Sequence, residues 1–497
     1  MVIRILNDKY RILFVITTII FTLYNSLGQF FLYSPGGCDY WEHLATIFSF
    51  SRNLLYPDNP YILSNQPTHL FTPYHLFWGI ISKIFKIHPF YILPCIAIIN
   101  SLLFMLASKY ISSFLLKNEK FFIIFFIVLL FFWYKPWAWS GFYNFALLPL
   151  TIIYPYWFAF PFSIIILSRY HFRENIFHVI ILSFIFSLIF LVHPLTFIFI
   201  FLSYTVKLTL EDPPILKIYF YFLVLMLASI ISLLWPYFSV SKAILNSAHY
   251  KNIGFAGCYW LFYKNIPSAL GPALFGLIPL LYFVINFSKN NQSINFIVYS
   301  FFIFLFLYVL NYVLLHNSLL SRLIIYLVFF LHISIVVIVI NRKKLLITSL
   351  ALLILFAPIQ LKESLKRVHI FDHSTNFNLL LRYSFLGKYI KSRDVVLSPL
   401  NLSWILPSII GCKVVGVLHS NPFFTDYFER LKENKIFFSK QCNLKCQLDT
   451  IRKYKVNFIV VKKDEEKYLK QLVLKGYLYK IIIKNDLLLY KVALKKH

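Results

Sequence analysis

Acidic residues are nearly missing from the first 357 positions of this 497-residue chain: only Asp8, Asp39, Glu42, Asp58, Glu119, Glu174, Glu211 and Asp212 precede Pro358. Charge of either sign is sparse, at 13% of residues against 59% hydrophobic and 20% aromatic. An average soluble protein is more charged and less apolar, so that class is excluded. Alternating strands of the kind a membrane barrel needs are also lacking, because the apolar runs are continuous. The six cysteines, Cys38, Cys95, Cys258, Cys412, Cys442 and Cys446, make no zinc-type CxxC pair. Cys442 and Cys446 suit a local disulfide if the tail is extracellular, and unpaired thiols remain the alternative. There is no Gly-rich phosphate loop in the tail and no internal repeat. The net charge is +29, yet no compact basic module stands out, so no nucleic-acid partner is expected. Lys and Arg instead fit cytoplasmic loops and, after Lys362, a tail able to rest on anionic membrane lipids.

Long apolar runs recur from Ile12 to Pro358, which makes the chain a polytopic α-helical membrane protein. Arg4, Lys9 and Arg11 precede the first span, Arg11 to Tyr33, and place an uncleaved N-terminus in the cytoplasm. Residues 34–72 then form an outer loop carrying three of the eight acidic residues. Within it Tyr40 to Leu55 reads as a short interfacial helix ended by Tyr56-Pro-Asp-Asn-Pro60. Further spans are expected at Pro73 to Phe85, Phe90 to Phe114, Phe121 to Trp133, Phe145 to Leu167, Phe177 to Phe201, Ile218 to Trp235, Ala269 to Phe287, Ile294 to Leu315, Leu323 to Ile340 and Leu345 to Ala357. The total is about 11 transmembrane helices, several of them short for a full crossing. Tyr154-Pro155 and His193-Pro194 are expected to break two of them. Lys109, Lys117, Lys120, Arg169 and Arg173 fall on the wrong side of this count, so one early segment need not cross as drawn.

The texture changes in the tail. Asp394 to Ser398, Lys413 to Leu418 and Val456 to Val461 read as strands, Leu402 to Ile410 as a helix, and Tyr479 to Lys484 with Leu487 to Val492 as a hairpin around Asn485-Asp486. The expected division is a membrane domain over 1–360 and a small C-terminal α/β domain over 361–497 on the outer face.

The stretch Gly36-Gly-Cys-Asp39-Tyr-Trp-Glu-His43, directly after the first span, resembles the acidic motif of the GT-C superfamily of integral-membrane glycosyltransferases. Thr68-His-Leu-Phe-Thr-Pro-Tyr74 resembles that family's entry to its second helix, and Val395-Val-Leu-Ser-Pro399 through Val415-Gly-Val-Leu-His419 is similar to tails of prokaryotic members. The likeness is architectural and spans the chain. It implies transfer of a sugar from a polyprenyl-phosphate-linked donor to a glycan, lipid or protein acceptor of the cell envelope, with inversion. The multi-pass protein would sit in the cell membrane with its C-terminal domain extracytoplasmic. One departure is plain: many members carry a second acidic motif in a later outer loop, and Pro236 to Pro267 contains no Asp or Glu. No cofactor is specified, and a divalent metal, Mg or Mn, stays open.

Asp39, Glu42 and His43 are spaced i, i+3 and i+4, so on a helix they share one face. An inverting transfer needs a base for the acceptor hydroxyl. Asp39 is the candidate base, with Glu42 or His43 orienting it or contacting sugar. The bland alternative is an N-cap aspartate with a solvated neighbouring face. Arg322, starting a late span, offers a fork for donor phosphate, against a snorkelling arginine. His193 either faces a cavity at its helix break or hydrogen-bonds a freed carbonyl. His69 and His75, near the start of the second span, are candidates for sugar or cation binding. Trp139 and Tyr154 belong to an aromatic cluster with Trp133, Trp137, Tyr156 and Trp157, read as an interfacial belt before a donor groove. His249, Tyr250, Lys251, Trp260 and Lys264 are positional guesses for the acceptor. His419 and Asp426 are expected to be structural. The rival reading is a polytopic lipid or glycan transporter or flippase without transferase activity, which predicts mid-span charge and repeat symmetry that this chain lacks.

Overall fold

A computed structural model describes residues 2–32, 34, 39–133, 141–211, 215–249, 263–264, 266, 270–286, 291–317, 319–341, 343–368, 375–419 and 421–493. Gly36 to Cys38, Trp137, Trp139 and residues 250–262, with Tyr250, Lys251 and Trp260, lie outside them. Two compact units emerge, each built from separated stretches of chain.

The first unit comprises residues 1–32, 93–235 and 247–369. It is helical because its runs of Leu, Ile and Phe are uninterrupted over many turns. Among the described residues of the chain, five helices are long and apolar enough to cross a membrane: Lys9–Phe31, Pro89–Leu116, Ile215–Leu233, Gln292–Leu315 and Leu320–Ile340. They are the helices of a multi-pass membrane protein. Phe145–Thr151 and Pro155–Arg169 make a sixth if counted as one span, bent by 115°. Ile176–Val192 and Pro194–Leu210 are separate shorter helices. Both proline sites thus break the chain, and carbonyls before the first break find partners inside the unit. Gln29 Nε2 donates to Pro149 O at 2.9 Å, and Asn100 Nδ2 to Ile152 O at 2.7 Å. Past the end of Phe122–Phe131, His332 meets Phe132 O at 3.0 Å and Gln360 Nε2 donates to Trp133 O at 2.7 Å. Without water, an irregular stretch at such depth is tolerated only when its backbone is satisfied in this way. Trp133, Tyr154, Tyr156 and Trp157 are buried within the unit, packing its interior rather than forming a belt.

The second unit comprises residues 33–92, 236–246 and 370–497. Its tail holds a five-stranded sheet of order β2-β1-β3-β5-β4, with β1 Val395–Leu397, β2 Lys413–Val414, β3 Phe458–Lys462, β4 Leu478–Lys484 and β5 Leu487–Val492. β1 pairs in parallel with β2 and β3, while β5 runs antiparallel between β3 and β4. Helix Leu400–Ile410 makes the crossover from β1 to β2, as a parallel pair requires. Asn485 and Asp486, at φ 52° and 62°, supply the two left-handed residues of the β4–β5 turn. Val395, Leu397, Ile459, Val461 and Tyr490 build the core with Phe437 and Ile451 from the helices.

Two helices of the early segment belong to this unit. Asp39–Arg52 is buried on most sides, and its Trp41 Nε1–H donates to Ser34 O at 3.1 Å. Pro73–Phe85 packs on it, 13 residues long and short for a crossing. The segment is knitted to the tail by backbone and side chain. Val414 N donates to Tyr61 O at 2.6 Å, and Arg52 Nη1 donates to Gly411 O at 2.8 Å, where a helix ends in a left-handed glycine. Lys413 Nζ donates to Asn59 O.

Candidate active site around Asp39, Glu42 and His419

The first turn of helix Asp39–Arg52 holds both carboxylates. Negative charge suits this end, because the unpaired N–H groups of a helix start carry partial positive charge. The i, i+3 spacing points Asp39 and Glu42 the same way, toward one imidazole from the tail. His419 Nδ1 lies 3.2 Å from Asp39 Oδ1 and 3.1 Å from Glu42 Oε2. The Asp39 side chain is 35% exposed and the Glu42 side chain 13%.

His419 sits in the loop after β2, at the carboxyl end of a parallel strand, where open α/β sheets place ligands. The loop is pinned. Tyr427 Oη donates to Leu418 O at 2.6 Å, and Asn421 Nδ2 donates to Thr68 Oγ1 at 2.7 Å. Trp404 meets the His419 ring edge-on at 4.9 Å and stacks on Tyr61 at 4.7 Å.

Three more imidazoles line the early segment. His43 Nδ1 and His75 Nε2 are 2.9 Å apart, and His75 Nδ1 is 2.8 Å from Thr72 Oγ1. His69 hydrogen-bonds the Asn421 side chain. Burial holds all three histidines below their ordinary pKa, against the pull of Asp39 and Glu42 on His43 and His69. Burial pushes the Glu42 carboxyl up, but its hydrogen bond to His419 and the surrounding imidazoles outweigh this, and its pKa ends below the ordinary value. Glu42 is therefore a carboxylate that stays ionised: a ligand or acceptor rather than a proton donor.

The structure brings Asp39, Glu42, His43, His69 and His75 together in one unit. His75 is 0% exposed and both its ring nitrogens are engaged. The other candidates lie in the first unit. His193 caps helix Pro194–Leu210, accepting from Thr196 N–H at Nδ1, with its ring 5.2 Å from Tyr156. The bland expectation was a bond to a freed carbonyl; the ring instead accepts from a backbone N–H as a helix cap. Tyr154 is buried at the start of helix Pro155–Arg169. Arg322 lies in the short turn Leu320–Leu323 before helix Ile324–Asn341, and Trp139 lies outside the described residues. His419 was the residue sequence reasoning missed, being read as structural. The available signal was a histidine directly after the apolar run Val414 to Leu418, of which only Val414 lies in β2. Asp426 does keep a structural role, paired with Arg430 at 2.6 Å.

One nitrogen and two carboxylate oxygens of Asp39, Glu42 and His419 lie within 4.8 Å of one another, a donor set able to hold a divalent cation.

No family model matches this chain, and no curated protein matches it. Solved structures do. The Archaeoglobus fulgidus oligosaccharyltransferase, in a complex with zinc and sulfate, matches at 12% identity with a TM-score of 0.49, over 92% of this chain and 69% of that one. The oligosaccharyltransferase AglB of the same organism, with an inhibitory peptide and a dolichol-phosphate, matches at 12% identity and 0.46, over 94% and 72%. An apo form gives 11% and 0.46, over 93% and 71%. With scores below one half and so few identical residues, function has to be argued from the site itself.

Proposed function

We propose that this chain is a membrane glycosyltransferase of GT-C type, moving a sugar from a polyprenyl-phosphate-linked donor to a glycan, lipid or protein acceptor at the outer membrane face. The observation that carries it is the meeting of Asp39 and Glu42, just after the first apolar helix, with His419 of the tail. Carboxylates kept beside a membrane are costly and call for chemistry. A lipid-linked donor explains the location, since its chain partitions into the bilayer while its sugar projects into an adjoining loop.

The two carboxylates divide the work by exposure. Asp39 is the more open and takes the proton of the acceptor hydroxyl as that oxygen attacks the anomeric carbon. Glu42 stays ionised against His419 and fixes the imidazole. Transfer is inverting: one base acts on the acceptor, and the phosphate leaves from the opposite face. Asp39, Glu42 and His419 would hold a divalent cation, whose chemistry is to offset the charge of the departing phosphate. The tail lies on the extracytoplasmic side with the acidic loop, and the N-terminus in the cytoplasm.

The test is sugar transfer from a panel of radiolabelled polyprenyl-phosphate sugars by purified protein, with Asp39→Asn beside it. General base catalysis contributes about 10²- to 10⁴-fold, so the variant should lose at least about a hundredfold in turnover while keeping its melting temperature. Near-normal turnover in Asp39→Asn would remove the base role, and no transfer from any donor, with or without Mn, would remove the reading.

A further inference from the structure

Helices Lys9–Phe31 and Pro89–Leu116 run antiparallel. Phe14 meets Lys109, Phe21 packs on Phe104, and Asn25 Nδ2 donates to Ser101 Oγ at 2.9 Å, so one number falls as the other rises. The start of the first helix is the basic end of this pair. Lys120 Nζ lies 5.5 Å from the centre of the Tyr10 ring, and Lys109 Nζ 5.3 Å from that of Phe14. The Arg169 guanidinium lies 4.3 Å from the Tyr110 ring, at the same end. The expected count of spans left Lys109, Lys120 and Arg169 on the wrong side of the membrane. In the structure they share an end with Lys9 and Arg11, as basic residues of one membrane face should.

Phe31 and Leu93 then belong to the opposite face, and the chain between them leaves that face and returns to it. It crosses the bilayer twice or not at all. Among the described residues of that stretch, the helices available for two crossings are Asp39–Arg52 and Pro73–Phe85. At about 1.5 Å per residue each is about 20 Å long, against about 30 Å of hydrocarbon, and the first carries Asp39, Glu42 and Arg52. Pro73–Phe85, expected as the second span, therefore stays on the face where it starts. Its free side is apolar all the same. Tyr74, His75, Trp78, Gly79 and Ser82 are buried. Phe77, Ile84 and Phe85 are exposed, and Ile80 and Ile81 half-buried, which makes a stripe at helical spacing. Lys83 and Lys86, both exposed, stand at its end, and no acidic residue occurs between Asp58 and Glu119.

We propose that the Phe77, Ile81 and Ile84 face of helix Pro73–Phe85 is a lipid-docking surface, seated in the leaflet at the Phe31 end of the spans, with Lys83 and Lys86 on its phosphate headgroups. The occupant follows from continuity. Past Lys86, whose left-handed backbone ends the helix, Ile87 and Tyr91 are exposed, and Tyr91 already belongs to the span Pro89–Leu116. On that span Ile99 and Leu102 are exposed in turn. One run of exposed apolar side chains thus leads from the short helix into a membrane span, and lipid that covers the span reaches the helix. An interfacial helix of this kind sinks its apolar face into the acyl boundary while lysines snorkel to the headgroups. Its buried face packs through Gly79 on Phe50 of the helix that carries Asp39 and Glu42. On the reading of the site given above, the bilayer surface then sets the height of those carboxylates against a lipid-linked donor.

Spin labels on Phe77→Cys and Ile84→Cys, in the full chain with its unpaired cysteines replaced and reconstituted in phospholipid nanodiscs, read the surroundings without any substrate. Collision with oxygen, which concentrates in lipid, should exceed collision with a water-soluble nickel chelate at both positions. The order should reverse at Lys432→Cys, an exposed position on helix Tyr427–Phe437. Chelate access at Phe77 and Ile84 equal to that at Lys432 would overturn the proposal, since the face would stand in water. Labels shielded from both reagents would overturn it too, because a protein partner or a second copy would be the cover. Asn65→Cys and Lys86→Cys, exposed positions before and after the helix, should react with an impermeant maleimide from the same side of sealed vesicles. Reaction from opposite sides would make the helix a span. In the transfer assay, Phe77→Asn with Ile84→Asn should raise the donor KM about threefold to tenfold, with kcat and melting temperature near wild type, because both side chains are already exposed in the fold. Phe77→Leu with Ile84→Leu should match wild type. Labels in lipid with no transfer from any donor would uphold the docking surface and remove only the reading of the reaction.

Discussion

Burial of single imidazoles sets how this protein answers acid. His75 lies wholly inside, and burial with the adjacent His43 and His69 rings holds its pKa well below 6.5. Burial also lowers His88, against the pull of the Ile409 carbonyl. For both, the unfolded chain takes up a proton at a pH where the fold refuses it. Their stabilisation is complete above about pH 6.5 and is lost as the pH falls from there through the folded values. Glu42 adds to this at lower pH: its folded pKa lies below 4.5, so its contribution is present above 4.5 and is lost as the pH falls through the folded value. The melting temperature of the detergent-solubilised protein should therefore start to fall near pH 6.5, before carboxylates titrate, and the early fall should shrink in His75→Gln. A melting temperature flat down to about pH 5 would contradict this. The same scale shows what a sequence can reveal of a site. Asp39 and Glu42 were legible because acid is rare here and their spacing is helical. His419 was not, since it reaches Glu42 across 377 positions and no periodicity links the two.

The helix pair that carries the histidines depends on one small residue. Gly79 lies one turn beyond His75 on helix Pro73–Phe85, and a Cβ there would collide with Cβ of Phe50 and come within 3.3 Å of its carbonyl carbon. Phe50 lies two turns beyond His43 on the facing helix, so the close approach at Gly79 and the His43–His75 bond belong to one contact line. Gly79→Val should cost about 1–3 kcal/mol by overpacking and should also disturb the His43–His75 contact, whereas Gly79→Ala should do less. A Gly79→Val protein that melts with wild type would show that the helices part without consequence. Elements with a clear period were legible in this way. The β4–β5 hairpin and strands β1 and β3 follow from apolar runs bounded by turn residues. Helix Tyr427–Phe437 was not read, because only Tyr427, Asn434 and Phe437 are buried along it and its apolar pattern is weak. The helix breaks at Pro155 and Pro194 were legible from proline alone, but the groups that satisfy them, Gln29 and Asn100 at the first, come from distant helices.

At the scale of the whole molecule, composition marks a change near residue 360, yet compactness follows a different division, with residues 33–92 and the tail in one unit. Only long-range bonds such as Val414 to Tyr61 and Arg52 to Gly411 reveal that grouping, and they leave no trace in a composition window. The unit also carries a compartment signal. Cys442 and Cys446 are disulfide-bonded, and such bonds persist in oxidising surroundings rather than in a reducing cytoplasm. The tail, and with it Asp39, Glu42 and His419, is therefore expected on the extracytoplasmic side, where a lipid-linked donor would present its sugar. The check is labelling in intact cells with a membrane-impermeant maleimide, in a variant whose other four cysteines are replaced. No label should enter Cys442 or Cys446 until a membrane-impermeant reductant is added, after which both should react. Labelling without reductant would mean free thiols on the outer face. Protection that only permeabilisation relieves would put the tail in the cytoplasm, away from any outer-face donor, and would remove the proposed reaction's location along with its orientation.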